Sequence, residues 1–354
     1  MRSMSLLSVA ALWCSCVPEE QVSPGFEDRQ VVIDFADQVV VPTYQLLASR
    51  TAALRVAAEE LAAAPGDAAL AAAQDAWIAS RQPWEQSEGF LFGPVDTYGY
   101  DPAMDSWPVN HTDLDAVLAT DEAFSAALIA NLQETQKGFH TAEYLIFGVE
   151  RTKTAADLTA RELEYLVAIT AELAQVSDAL AASWTTSVDG RPPYRDLLAT
   201  AGTDDNSAYP SLAAAAQEIL DGMIGICDEV ANGKIADPWD AGDANLVESQ
   251  FALNSIADFQ DNLRSVDNAY TGAVPAAGTS GRGLGSWIAE QDAELDARVR
   301  SEIAEAITAI GNIPPPFSTA ITDDAAADEI EAAQVAVRGL QQTLEGAVQP
   351  FVLR

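Results

Sequence analysis

The chain has 354 residues and a formal net charge of −36, from 54 acidic against 18 basic side chains. So acidic a surface repels phosphate backbones, which excludes nucleic acid as a partner, and it gathers cations around the protein. A hydrophobic content of 49% excludes general disorder, although alanine supplies much of it, and the length suits one large or two medium domains.

The N-terminus reads as an export signal: Arg2, an apolar run from Met4 to Trp13, then Cys14-Ser15-Cys16. The run is too short to anchor stably across a bilayer. The cysteines at the cleavage end point to a bacterial lipoprotein acylated on Cys16, with simple secretion as the alternative. Residues 1–24 are therefore taken as signal and linker. The expected location is the cell envelope, lipid-anchored at the outer membrane or periplasmic, with no membrane contact beyond the anchor. The remaining cysteine, Cys227, falls on an apolar helix face and reads as a small core residue, so no disulfide framework is expected.

Nearly everything after residue 25 reads as helix, in segments at roughly 27–63, 67–83, 112–133, 154–186, 205–233, 244–270, 286–311 and 323–346. Pro42 lies inside the first, which should start late or kink there. Phe92 to Asn110 holds Pro94, Pro102, Pro108, two tyrosines and Trp107, which rules out a regular helix and predicts a long ordered aromatic loop. The apolar stripes Leu166-Ile169-Leu173-Val176-Leu180 and Leu212-Ala216-Ile219-Met223-Ile226-Val230 step by three and four. So do Ile256-Phe259-Leu263-Val266-Tyr270 and Ile330-Ala333-Val337-Leu340-Leu344, and each needs a partner helix. Asp189-Gly190-Arg191-Pro192-Pro193 breaks the chain near its middle, Thr271 to Gly285 reads as a mobile loop, and Gly311 to Pro316 ends a helix. No alternating β-branched run stands out. The expected class is all-α, with two four-helix-bundle-like domains at residues 25–190 and 191–354.

Four constellations could carry chemistry. Gly138-Phe139-His140-Thr141-Ala142-Glu143 holds one of only two histidines. On a helix His140 and Glu143 share a face and could ligate a metal, or form a base and its partner; a capped histidine with an exposed glutamate is the plain alternative. Arg81 to Phe90 places Glu85 and Glu88 three apart, which otherwise reads as a helix end with Arg81 paired to Glu85. Asp96, Asp101, Asp105 and Trp107 sit on the irregular loop without calcium-loop spacing, where aspartates commonly cap turns. Ser255, Asp258 and Asn262, following Glu248 and Ser249, form a polar stripe that lines a cleft or satisfies itself at a core edge. Nucleophile-elbow, phosphate-loop, dinucleotide, C-x-x-C and H-E-x-x-H patterns are absent from the sequence.

Taken together these segments resemble the imelysin family. Its G-x-H-x-x-E signature matches Gly138, His140 and Glu143, and its aromatic-acidic segment matches Trp77, Arg81, Trp84, Glu88, Phe90, Gly93 and Pro94. Its loop resembles Asp105-Ser106-Trp107-Pro108. Its later helix resembles Glu248-Ser249 through Ser255, Asp258, Phe259 and Asn262, closing on Tyr270-Thr271-Gly272. The resemblance implies two helical bundles with a site in a cleft between them, in exported or lipid-anchored proteins named as metallopeptidases or linked to iron uptake.

With only His140 and His111 available, a histidine-rich zinc site is excluded, whereas mixed imidazole and carboxylate ligation suits iron. The expectation is an envelope protein that binds a divalent or trivalent metal, iron before zinc, and that serves iron uptake or homeostasis with an envelope iron-transport component as a possible partner. His140, Glu143, Glu88 and Glu85 are the expected ligands. Arg81, Trp107, His111, Glu248, Ser255, Asp258 and Asn262 are expected around them. A metallopeptidase with Glu143 or Glu88 in a catalytic role is the alternative, and an adhesion or scaffold protein is the second.

Overall fold

The computed structural model describes residues 25–353, so the export signal and Cys16 lie outside the described residues. The all-α expectation holds. Among the described residues the strands are two, Ala273–Val274 and Thr279–Ser280, paired antiparallel.

In the first half, the helix Val41–Ala63 buries Tyr44, Leu47, Thr51, Leu54, Ala58 and Leu61, one residue every three or four. That stripe packs against Ala160–Thr185 and Asp67–Glu85. In the second half, Ala293–Gly311 buries Val299, Ile303, Ala306 and Ile310 against Ala327–Thr343, which buries Ile330, Ala333, Val337 and Leu340. The halves meet where Ser255–Thr271 crosses Asp67–Glu85 and where Leu212–Asp228 crosses the short turn Glu88–Phe90. There the backbones nearly touch: a Cβ on Gly222 would lie 2.3 Å from the Gly89 carbonyl oxygen.

Several expected boundaries move, each for a local reason. A π-helical turn, Phe35–Val40, precedes Pro42, which then sits in the first turn of the next helix, where its missing N–H is no loss. The segment expected as one helix at 112–133 is His111–Leu118 followed by a separate turn, Ala126–Ile129. Between them the Thr120 hydroxyl binds back to Val117, and Ser125 caps the new turn. The helix expected from 205 starts at Leu212, capped by Ser211, and continues through a π-helical stretch, Glu229–Ala236, to Ala241. The helix expected from 244 starts only at Ser255. Ahead of it, Ser249 and Leu253 take positive φ values of 50° and 59°, which an α-helix cannot accommodate. The last helix runs beyond 346 through a π turn to Val352. Thr271 to Gly285 is tied down rather than loose, since the Asp34 carboxylate accepts from the Arg282 backbone N–H at 2.7 Å and the Gln38 carbonyl accepts from the Thr279 hydroxyl at 2.5 Å. The aromatic stretch after Phe92 holds two short helices, Pro94–Tyr98 and Tyr100–Asp105, before the chain extends through Trp107 and Pro108. Cys227 is fully buried in the core, as expected.

Candidate metal centre

The seam between the halves is charged. The helix Asp67–Glu85 turns Trp77, Arg81, Trp84 and Glu85 inward, because these positions share one face. Arg81 is fully buried. Its guanidinium donates to Glu85 one turn on, to Asp105, and to Glu248 at 2.8 Å, with Asp258 at 3.8 Å. Its guanidinium carbon lies over the Phe139 ring, 5.1 Å from the ring centre. Asp105 closes the short helix Tyr100–Asp105, and its second oxygen accepts from the Trp84 indole N–H at 2.6 Å.

His140 comes from the helix Gly138–Phe147. Gly138 has φ +75°, and a Cβ there would lie 2.2 Å from the Met104 carbonyl oxygen. Only glycine lets this helix start close against the segment that carries Asp105. The His140 Nδ1 lies 2.9 Å from Glu143 Oε2, the i,i+3 partner. The other Glu143 oxygen accepts from the backbone N–H groups of Phe251 and Ala252, at 2.9 and 2.7 Å. Glu143 is therefore spent on holding the imidazole and on gripping the second half of the chain. The opposite ring nitrogen, Nε2, faces Asp105 Oδ1 at 3.2 Å and Glu248 Oε1 at 3.9 Å, yet is buried without an aligned hydrogen bond.

The second half supplies the rest. The irregular strand of chain ahead of Ser255 delivers Glu248, and the Ser255 hydroxyl donates to the Glu248 carbonyl at 2.5 Å. Asp258 accepts from Asn254 at 2.7 Å, and Asn262 donates to Glu85 at 2.6 Å. Lys234, on the π-helical stretch, donates to Glu248 Oε2 at 2.8 Å and stands 3.8 Å from Glu88. Trp107 covers the group, its ring centroid 5.9 Å from that of His140.

Charge is out of balance here. Six buried carboxyls, Glu85, Glu88, Asp105, Glu143, Glu248 and Asp258, face three basic groups, Arg81, Lys234 and His140. Burial pushes Glu85 and Glu88 well up, and Asp258 up to about 7, despite the neighbouring cations. Burial alone would raise Asp105 too, but Arg81 and His140 outweigh it and hold that carboxyl below the ordinary range. Burial alone would lower His140, but Asp105 and Glu143 outweigh it and raise the imidazole to about 9. Two sets of ligand atoms converge within 4.8 Å: Asp105, His140 and Glu248, and Glu85, Glu88 and Asp105. Asp105 belongs to both. Such a mixture of imidazole and carboxylate suits a transition-metal ion, and the buried Nε2 offers it an unused lone pair once the imidazole is neutral.

Of the residues expected at the site, His140, Glu143, Glu85, Glu88, Arg81, Trp107, Glu248, Asp258 and Asn262 gather here, and Ser255 positions Glu248. His111 does not join the carboxylates: it is exposed at a helix start, its ring 4.4 Å from Tyr144 and 6.0 Å from Phe251. The sequence alone places Asp105 among turn-capping aspartates and not with the ligands, and it does not single out Lys234. Lys234 is one of three lysines in the chain, and a lysine just after an apolar stripe in so acidic a sequence is the signal that could have found it.

The chain is an all-helical protein with a buried cluster of carboxylates and one imidazole at the seam of its halves. The family model described as imelysin, peptidase M75, matches residues 40–344. Iron-regulated protein A of Synechococcus elongatus is 31% identical over 344 residues, 97% of this chain and 91% of that protein. A crystal structure assigned as an iron-regulated protein A precursor from Parabacteroides distasonis superposes with a TM-score of 0.82 at 30% identity, covering 94% of this chain and 97% of that one. An imelysin-like protein from Psychrobacter arcticum shares the fold, with a TM-score of 0.73 at 14% identity over 94% of this chain and 98% of that one. The chain belongs to the imelysin family.

Proposed function

We propose that this protein is an exported iron-binding protein of the bacterial envelope, lipid-anchored through Cys16 or periplasmic, that serves iron uptake or homeostasis. The ion is cargo and not a catalytic cofactor. His140 through Nε2, Asp105 and Glu248 are its ligands, with Glu85 and Glu88 adjoining, and an envelope transport component is the partner that delivers or receives it. The observation that carries this reading is the buried His140 Nε2, aimed at two carboxylates with no aligned hydrogen bond of its own. Glu143 supports it from the other side of the ring. Held by two backbone N–H groups, it fixes the ring through Nδ1, so that Nε2 can take an ion in exchange for its proton.

A peptidase needs a carboxylate free to serve as base beside a metal and room for a peptide. Here both Glu143 oxygens are engaged and His140 is 2% exposed, which weighs against that role for Glu143. The test is elemental analysis of the purified protein, followed by titration with ferrous, ferric and zinc ions. Iron should bind more tightly than zinc. His140→Ala should abolish tight binding, and Glu143→Gln should weaken it about 10–100-fold by releasing the ring. Unchanged iron affinity in His140→Ala would sink the proposal.

A further inference from the structure

Lys234 holds a position that the carboxylates alone do not explain. Its ammonium lies 2.8 Å from Glu248 Oε2, 3.8 Å from Glu88 and 3.9 Å from Glu85 Oε2, whereas Arg81 takes the Oε1 atoms of Glu248 and Glu85. It also lies 3.7 Å from Glu229, whose side chain is 47% exposed, and 5.2 Å from the centre of the Trp107 ring. Trp107, Glu229 and Lys234 line one open surface pocket, and Glu229 and Glu88 line another beside it. Lys234 therefore stands at the border between solvent and the buried centre, with three carboxylates on its inner side and one on its outer side.

We infer that Lys234 is the gate of this centre: a built-in counter-cation that an incoming ion displaces from Glu88, Glu85 and Glu248, and that then moves outward to Glu229. The inference rests on the metal-binding role proposed above. The physics favours this residue over Arg81. Lysine carries a compact charge on a flexible four-carbon stem, and its ammonium can reach the surface while the stem stays packed. The Arg81 fork is held by Glu85, Asp105 and Glu248 at once. Exchange of one cation for another also spares the cluster a stage in which buried carboxylates stand unpaired. Glu229 and Lys234 both sit on the π-helical stretch Glu229–Ala236, a kind of local helix widening found frequently at functional sites.

The test is the rate of ferrous iron loading into the whole mature protein without oxygen, followed by stopped-flow quenching of tryptophan fluorescence. Lys234→Met keeps the stem and removes the charge, and should load about tenfold faster, a barrier lowered by about 1.4 kcal/mol. Glu229→Gln changes an exposed side chain and leaves the fold intact. It should load about threefold slower, since rim charges act mainly on association rates. In the Lys234→Met background the Glu229→Gln effect should vanish, because the outer carboxylate acts through the lysine. If it persists in full, Glu229 acts on the ion directly and the gate is rejected. The gate is also rejected, with the centre intact, if iron binds in a His140-dependent manner but both single variants load at the wild-type rate. Should Lys234→Met fail to fold, the Glu229→Gln rate decides alone, and a wild-type value overturns the inference. If the wild type takes up no iron, or His140→Ala binds as tightly, the metal-binding reading falls and the gate falls with it.

Discussion

Two helices of this molecule have the same length and the same three-and-four spacing of buried positions, yet hold different structures together. Ala293–Gly311 buries Val299, Ile303, Ala306 and Ile310. Asp67–Glu85 buries Leu70, Ala73 and Trp77, then Ser80, Arg81, Trp84 and Glu85. Spacing decides which face goes inside; side-chain chemistry decides what burial does there. Apolar burial stabilises by about 25 cal/mol per Å² whatever the neighbour. A buried charge stabilises only while its partners are in place. The second-half core is therefore self-sufficient, whereas the seam depends on each of its charged members.

The sharpest attempt to break this comparison is Arg81→Met. It strands Asp105, Glu85 and Glu248 without their main counter-charge and should remove about 3–5 kcal/mol of stability, read from urea denaturation. A variant as stable as the wild type would show that those carboxyls are held neutral, and the contrast would collapse. Ile303→Ala in the self-sufficient core should remove about 2–5 kcal/mol through the cavity it opens. Iron affinity in this variant should match the wild type, and a parallel loss would mean that the two regions are not independent. The smallest effect concerns a buried acid outside the seam. Glu172 packs 4.0 Å from Lys137, and burial pushes its carboxyl up to about 7 from an ordinary 4.5. The native state then holds this proton more tightly than the unfolded chain, so stability falls as pH rises from 4.5 through about 7. Glu172→Gln should lift the Tm at pH 8 relative to pH 4 by about 2 °C compared with the wild type. A wild-type pH profile in this variant would remove Glu172 from the account.

Much of the fold was legible because stripes such as Ile330, Ala333, Val337 and Leu340 repeat at helical spacing and are buried as a set. Boundaries failed where polar side chains compete with the helix, at Thr120 and Ser125, and where the backbone turns through positive φ, at Ser249 and Leu253. At the site, residues three apart on one helix, such as His140 and Glu143, could be paired by counting. The partners that face them could not be. Asp105 meets Arg81 across 24 positions, and Lys234 meets Glu88 across a crossing of two chain segments that no local pattern encodes. The family pattern around Trp77 to Pro94 and Glu248 to Asn262 located the missing half of the neighbourhood without giving its geometry.

The grip of the Phe251 and Ala252 amides on Glu143 spans 108 positions of chain. Together with Glu248 and Asn262 it means that the centre has no partial version. A chain still being made has His140 long before it has the groups that aim and surround it. No segment ending before Asn262 can form the cluster, whatever helices it has already wound. If the centre takes an ion as proposed, capture is tied to completion of the fold, and a growing or truncated chain offers only scattered carboxylates in water.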